Sequence, residues 1–278
     1  HRLDRLTQPE GDALEVAAVE GEYFHVAPIA TVLELTRIRA LKLLQGLERR
    51  HRIVRPAEQR FRFDHGKIRD VILARIAPPL RREYHGVVAG CLLEEPAGIS
   101  SAILAHHLAE AGDAVAALPH RRMAAAAARA VFANEEALHH LGLALATLDA
   151  PGVEGDVERQ RAEIRLEMAE IHLLTGSYGA AAALFSQVAA GPVIPGSERL
   201  PARALLGEGE CEFAIARYDG ARQKLDDARR AAAAAEDKPL LSRIHVMPAR
   251  VHTRRGEFDE ALQARARGEA LARELGDE

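Results

Sequence analysis

The side chains that could do chemistry in this sequence are few, and their spacing limits what they can do. His106-His107 and His139-His140 are adjacent pairs, so on a helix the two rings of each pair point to different faces. No two histidines stand four residues apart and no HExxH occurs, the spacing by which one helix face holds a zinc ion. Ser177 lacks the GxSxG frame of a nucleophile elbow. Cys91 and Cys211 form no CxxC pair and fall in apolar stretches, where a thiol acts as a small core residue. The adjacent acids Asp226-Asp227 and Glu94-Glu95 belong to expected exposed faces or helix ends. No GxxxxGK[ST] loop is present to cradle a triphosphate. These residues make no catalytic constellation, and the chain reads as non-enzymatic, with no cofactor or metal of its own. Two features remain. His65 stands between an alternating segment and a helical one. There it either meets an anion or caps and packs beside Asp64. Arg37, Arg39, Lys42, Arg49, Arg50 and Arg52 crowd one stretch and could contact nucleic-acid phosphates, with Gln45 the only amide there to read a base.

These side chains must be positioned by a helical framework. The chain has 278 residues, 4% aromatic and none of them tryptophan, with alanine runs at 124–128 and 231–235. Alanine favours helix, and the scarcity of aromatics argues against a β-sandwich or barrel. No apolar stretch reaches the roughly 18 residues of a membrane span. Two cysteines make no disulfide framework, so a reducing, cytoplasmic setting is expected. Residues 34–85 carry 14 basic and 6 acidic side chains against a chain net charge of -4, a basic block that suits nucleic acid, an acidic partner or a solvated surface. The chain lacks a starting methionine and ends inside a repeat, so it is expected to be a piece of a longer protein.

Residues 1–85 read as one unit. A short helix over Asp12–Val19 and a second over His25–Leu35 precede a third, N-capped by Thr36 and running to Arg50, with Ile38, Leu41, Leu44 and Leu47 inward. The period then changes. Arg52–Arg55 and Arg60–Phe63 alternate, with Pro56–Gln59 as the turn between them. A fourth helix, capped by Asp64, ends at Pro78-Pro79. Three short helices and a hairpin make a winged-helix arrangement.

Residues 86–278 read as a helical array. Tyr178, Tyr218 and Phe258 recur every 40 residues, and Ala181, Ala221 and Ala261 follow each at the same offset. A small residue, Gly176, Ala216 or Gly256, precedes each aromatic and lets the chain reverse. The alanine lets two antiparallel helices approach closely. Such pairs cannot bury their apolar faces alone, so they stack. Weaker copies begin at Asn134 and at Gly112-Asp113. On the expected first helices of the repeats, Arg165, Glu167, Arg203, Arg243 and Arg250 are the candidate partner contacts. The fold class is mainly α: a winged-helix domain followed by an α-α superhelix.

The repeats resemble tetratricopeptide repeats with a period longer than usual. The run Phe61–Ile72, followed by Pro78, Arg81, Arg82 and His85, resembles the winged-helix segment of STAND-class signalling ATPases, as do Arg2–Leu6 with Leu14–Val19 and Ala105–Asp113. The resemblance implies an ATP- or ADP-binding domain upstream, with the winged helix packed on it as a switch. It also implies a repeat sensor for a protein, peptide or small effector, and an output such as a LuxR-type DNA-binding domain, a cyclase or a kinase. In the related NB-ARC proteins a histidine at the start of the helix after the winged hairpin touches the ADP phosphate. His65 matches that place, whereas Gly66 stands where that motif has aspartate. The basic third helix could instead serve DNA directly.

Overall fold

The computed structural model describes residues 3–94, 100–192 and 194–275. Arg2 of the opening motif, Glu95 of the acidic pair and the C-terminal residues 276–278 lie outside the described residues. Two compact units divide the chain, one ending at Ala124 and one beginning at Ala125.

In the first unit a 3-10 turn, Leu3–Arg5, leads into helix α1, Gln8–Glu20. Its start is fixed by a capping box between Thr7 and Glu10, and Pro9 sits where a helix does not need its N–H. Strand β1 is only Tyr23–Phe24, too short to leave an alternating signature. Helices α2, Val26–Val32, and α3, Arg37–Gly46, follow, and Thr36 Oγ1 accepts the Arg39 N–H at 3.4 Å as α3's N-cap. The chain continues as a π-helical turn, Leu47–His51, and leaves through Arg52 at φ 51°. Strands β2, Val54–Ala57, and β3, Arg60–Phe63, pair antiparallel with Val54 opposite Phe63, and β1 pairs on the other side of β3. Pro56 therefore lies in a strand and not in the turn. It is tolerated because β2 is an edge strand of the order β1-β3-β2, where a missing donor breaks no central ladder. Helix α4, Gly66–Leu73, is N-capped by His65 and not by Asp64.

Helix α3 faces differently from the sequence expectation. Ala40, Leu44 and Leu47 are buried, while Ile38 is 66% exposed and Leu41 37% exposed. The i, i+4, i+7 stripe of Ala40 won over the three-residue recurrence through Ile38, because the small alanine lets the helix sit close. Phe24 anchors the core, with its ring centroid 5.3 Å from Phe63 and 6.2 Å from Phe61. Helices α5, Pro78–Glu94, and α6, Ser101–Glu110, complete the unit, and α5 packs on α1 and α2. Position 85, where the sequence suggests a boundary, lies inside α5.

Helix α7, Ala114–Ala130, spans the division between the units. The second unit continues with α8, Asn134–Leu148; α9, Val157–Leu174; α10, Tyr178–Ala189; α11, Arg199–Ala214; α12, Tyr218–Ala234; α13, Lys238–Arg255; and α14, Phe258–Leu275. The 40-residue repeat is visible in the backbone. Gly176, Ala216 and Gly256 all take positive φ (79°, 61° and 79°), and each aromatic begins a second helix. Ala181 and Ala221 are fully buried and Ala261 is 8% exposed. From α8 on each helix packs on the next, and α11 also touches α9 and α13, so first helices lie side by side. The region is tetratricopeptide-like.

Candidate functional site

The first helices of the repeats carry charged residues seven apart, which puts them on one face two turns from each other. Arg203 and Glu210 of α11 share a face in this way, as do Arg243 and Arg250 of α13. Side-by-side packing of α9, α11 and α13 joins these faces. A pocket of about 250 Å³ opens between them, with Leu173, Phe185, Leu206 and Leu240 as apolar lining and Glu170, Arg203, Glu210 and Arg243 as its charges.

The charges are unevenly spent. Glu170 takes Arg203 at 2.7 Å and Arg129 at 3.6 Å, one carboxylate against two guanidinium groups. Burial pushes the Glu210 carboxyl up, Arg243 and Arg250 pull against that, and Glu170 adds to it. Arg243 makes no hydrogen bond or ion pair among the described residues. The pocket thus offers a half-satisfied positive charge above an apolar floor. Arg250 is turned to a neighbouring pocket of about 450 Å³, its guanidinium 4.9 Å above the Phe213 ring.

Close helix approach makes the floor. Gly207 of α11 lies against Phe185, and a Cβ there would fall 2.3 Å from Phe185 Cζ. Only glycine lets α11 rest on that ring.

Of the candidate partner residues, Arg203 and Arg243 meet in this pocket and Arg250 lies beyond it on the same helix face. Arg165 lines a different cavity, and Glu167 is half-buried on α9 outside the lining. Glu170 and Glu210 were missed by sequence reasoning. Their seven-residue spacing from Glu163 and Arg203 was the signal that could have found them.

His65 stands 72% exposed at the start of α4, with Nε2 3.4 Å from Asp64 Oδ2 and Arg55 on the other side of that carboxylate at 3.6 Å. The Asp64 charge opposes an approaching phosphate, while the helix N-terminus and Arg55 favour one. The residues fit an anion only in part.

On α3 and the turn after it, Arg37, Arg39, Lys42, Arg49 and Arg52 are exposed. Arg50 is 61% exposed, with one of its nitrogens engaged. Its guanidinium donates to Glu10 Oε1 at 2.6 Å, a carboxylate 1% exposed that also accepts from Thr7. Burial raises the Glu10 pKa, but Thr7's hydrogen bonds with the Arg50 and His51 charges outweigh it and hold the carboxyl low.

His106 is exposed and His107 buried, so the two rings of this pair point to different faces. His107 and His85 are buried and hydrogen-bonded through their Nδ1 atoms at 2.8 Å, with His106 beside them. Their pairing joins α5 to α6 across 22 residues, which helical spacing cannot show. Cys211 is buried, and burial followed by three neighbouring glutamates raises its pKa to about 11. Among the described residues no group of three or more histidine, cysteine or acidic side chains could hold a metal ion, and no helix is long and apolar enough to cross a membrane.

No protein-family model and no curated protein matches the sequence. Solved structures do. Aspartyl phosphate phosphatase F from Bacillus subtilis matches 98% of this chain over 76% of its own, at 13% identity and a TM-score of 0.56. PlcR from Bacillus thuringiensis, solved in complex with the peptide PapR7 and DNA, matches 90% of this chain over 79% of its own, at 15% identity and 0.50. A STAND protein with a tetratricopeptide repeat sensor from Pyrococcus horikoshii matches 99% of this chain, at 10% identity and 0.48. The chain spans 46% of that protein's length, and a score so low carries no argument. The first two share its helical fold.

Proposed function

We propose that this chain is a non-catalytic regulatory module whose repeats bind a peptide or protein effector. The carrying observation is the pocket between α9, α11 and α13, where Arg243 stands unpaired over an apolar floor. It suits a segment with an acidic side chain beside an apolar one. PlcR, of similar fold, is a peptide complex, which supports this reading. Random peptides displayed and selected against the chain test it. Selected sequences should be acidic and apolar, and Arg203→Glu with Arg243→Glu should release them. Selection of peptides indifferent to both substitutions overturns it.

The N-terminal unit is read as a winged helix acting as a switch on an upstream ATPase domain. The order α1, β1, α2, α3, β2, β3 with sheet order β1-β3-β2 supports it. In that setting His65 would sense the phosphate of bound ADP or ATP, in a cytoplasmic signalling protein. Association with the separately expressed ATPase domain should depend on the nucleotide and weaken in His65→Ala. The exposed Arg37, Arg39, Lys42, Arg49 and Arg52 favour a second reading, DNA binding by α3, and PlcR's complex also contains DNA. Duplex DNA titration discriminates the two, because phosphate contacts give a steep salt slope. No binding at about 50 mM salt removes the second reading.

A further inference from the structure

The three-stranded sheet of the first unit has two unlike faces. Phe24, Val54, Phe61 and Phe63 turn inward and are buried. Strand alternation puts Tyr23, Arg55, Arg60, Arg62 and Asp64 on the other side. Tyr23 of β1 lies opposite Arg62 of β3, and Arg62 lies opposite Arg55 of β2, so the three form one row across the strands. At the usual strand spacing of about 4.8 Å the row is about 10 Å wide. Arg60 stands two residues along β3 on the same face.

This face is open to solvent. Tyr23 is 43% exposed, the Arg55 side chain is 47% exposed, and Arg60 is exposed. Arg62 Nη1 donates to the Tyr23 hydroxyl at 3.2 Å. The guanidinium carbons of Arg60 and Arg62 stand 5.6 and 5.9 Å from the Tyr23 ring centroid. The carboxylate on this side, Asp64, is 3.6 Å from Arg55 and is shared with His65 at 3.4 Å. Glu22, just before β1, and Glu58, between β2 and β3, make no ion pair with these arginines among the described residues. Arg60 and Arg62 have no carboxylate partner among them either. Like charges directly opposite on neighbouring strands repel, as Arg55 and Arg62 must, and an anion lying over the row relieves that repulsion.

The chemistry of the anion follows from the cations. All three are arginine and none is lysine. A guanidinium fork holds phosphate through two parallel hydrogen bonds, and its flat face stacks on aromatic planes. A carboxylate chain would use the charge alone, whereas a layer of guanidinium and phenol planes also receives the flat face of a base. Bases offer that face in single strands, because in a duplex they are stacked on one another.

We infer that this sheet face binds single-stranded nucleic acid, with phosphates on Arg55, Arg60 and Arg62 and a base stacked on the layer formed by Tyr23 and its two guanidinium groups. The surface is separate from α3, whose exposed cations carry the DNA reading above, and from the pockets of the repeats.

The test titrates a labelled oligothymidylate into the full chain at about 50 mM salt and follows its anisotropy, beside an abasic strand of the same length. Oligothymidylate should bind about tenfold tighter than the abasic strand, the smaller part of what base stacking supplies. Tyr23→Leu should erase that preference and Tyr23→Phe should keep it. Arg60→Gln with Arg62→Gln should weaken oligothymidylate at least about tenfold, since two charged hydrogen-bond donors are lost. Arg229→Gln with Arg230→Gln, which removes the same charge from α12, should change nothing. Circular dichroism melts establish that each variant is folded. Absence of binding, equal affinity for the abasic strand, or an equal loss from the α12 pair would overturn the inference. So would displacement of the strand by polyglutamate or by a duplex of the same length as readily as by oligothymidylate itself.

Discussion

Replacing Gly207 by alanine pits two effects of known size against each other. Alanine in a helix interior gains about 1 kcal/mol over glycine. The new methyl, however, would stand 2.3 Å from Phe185 Cζ and 2.5 Å from both Cε atoms, on a ring that is 2% exposed. Carbon atoms rest at about 3.5–4.0 Å, so the ring or the helix must move by about 1 Å or more. Phe185 packs in one cluster with Leu166, Ala169, Ala181, Leu200 and Ala204, so it can give way only toward the pocket it lines. Overpacking of this kind costs about 1–3 kcal/mol, and with so short an approach the upper part of that range applies. The net loss is about 1–2 kcal/mol, which lowers Tm by about 2–8 °C for a unit of this size. Circular dichroism melts read it, with hydrogen exchange on α11 to place the loss. Phe185→Leu in the same chain should recover part of the stability, a coupling that a double-mutant cycle isolates. A Gly207→Ala protein as stable as wild type or more so would refute the packing argument and with it the account of how the pocket floor is made.

Other perturbations have equally definite outcomes. Burial foremost, with the neighbouring His106 charge, lowers the pKa of His85 to about 4, and burial with the His85 charge lowers His107 to about 3, from 6.5. Both are neutral when folded and take up protons on unfolding, so stability falls as pH drops from about 6.5 toward the folded values, by up to about 1.4 kcal/mol per unit for each ring. Urea melts at about pH 7 and about pH 5 should show this slope, and His107→Gln should flatten it. Arg50→Met strips the buried Glu10 of its guanidinium partner and should cost about 1.5–3 kcal/mol, read from the urea midpoint. Glu210 takes up a proton earlier than an ordinary carboxyl as pH falls. Glu210→Gln should therefore tighten acidic-peptide binding at neutral pH and flatten its rise on mild acidification, as titration calorimetry would show.

The repeat unit was legible because its rules are local. A small residue, an aromatic and an alanine at fixed offsets specify a reversal and a close helix pair, and the same offsets recur at 178, 218 and 258. The hairpin was legible from Arg60-Phe61-Arg62-Phe63, while β1 was not, because Tyr23–Phe24 becomes a strand only by pairing with β3. Ile38 and Leu41 misled because a solvent-facing stripe and a core stripe look alike when both are aliphatic. In the sequence Arg203 and Arg243 show only that they stand on first helices. Their convergence with Glu170 and Glu210 needed the side-by-side packing of α9, α11 and α13. The Arg50–Glu10 pair, 40 residues apart in sequence, and the His85–His107 pair are likewise products of tertiary folding.

The central claim is that Arg243 and its neighbours recognise an acidic effector segment, and a charge-swap cycle tests it most directly. A selected peptide and its acid-to-lysine counterpart are titrated against wild type and Arg243→Glu by calorimetry. The account predicts that either change alone weakens binding at least tenfold and that the two together restore much of it. Independent, additive losses with no restoration would show that the peptide and Arg243 do not meet, and would contradict the claim.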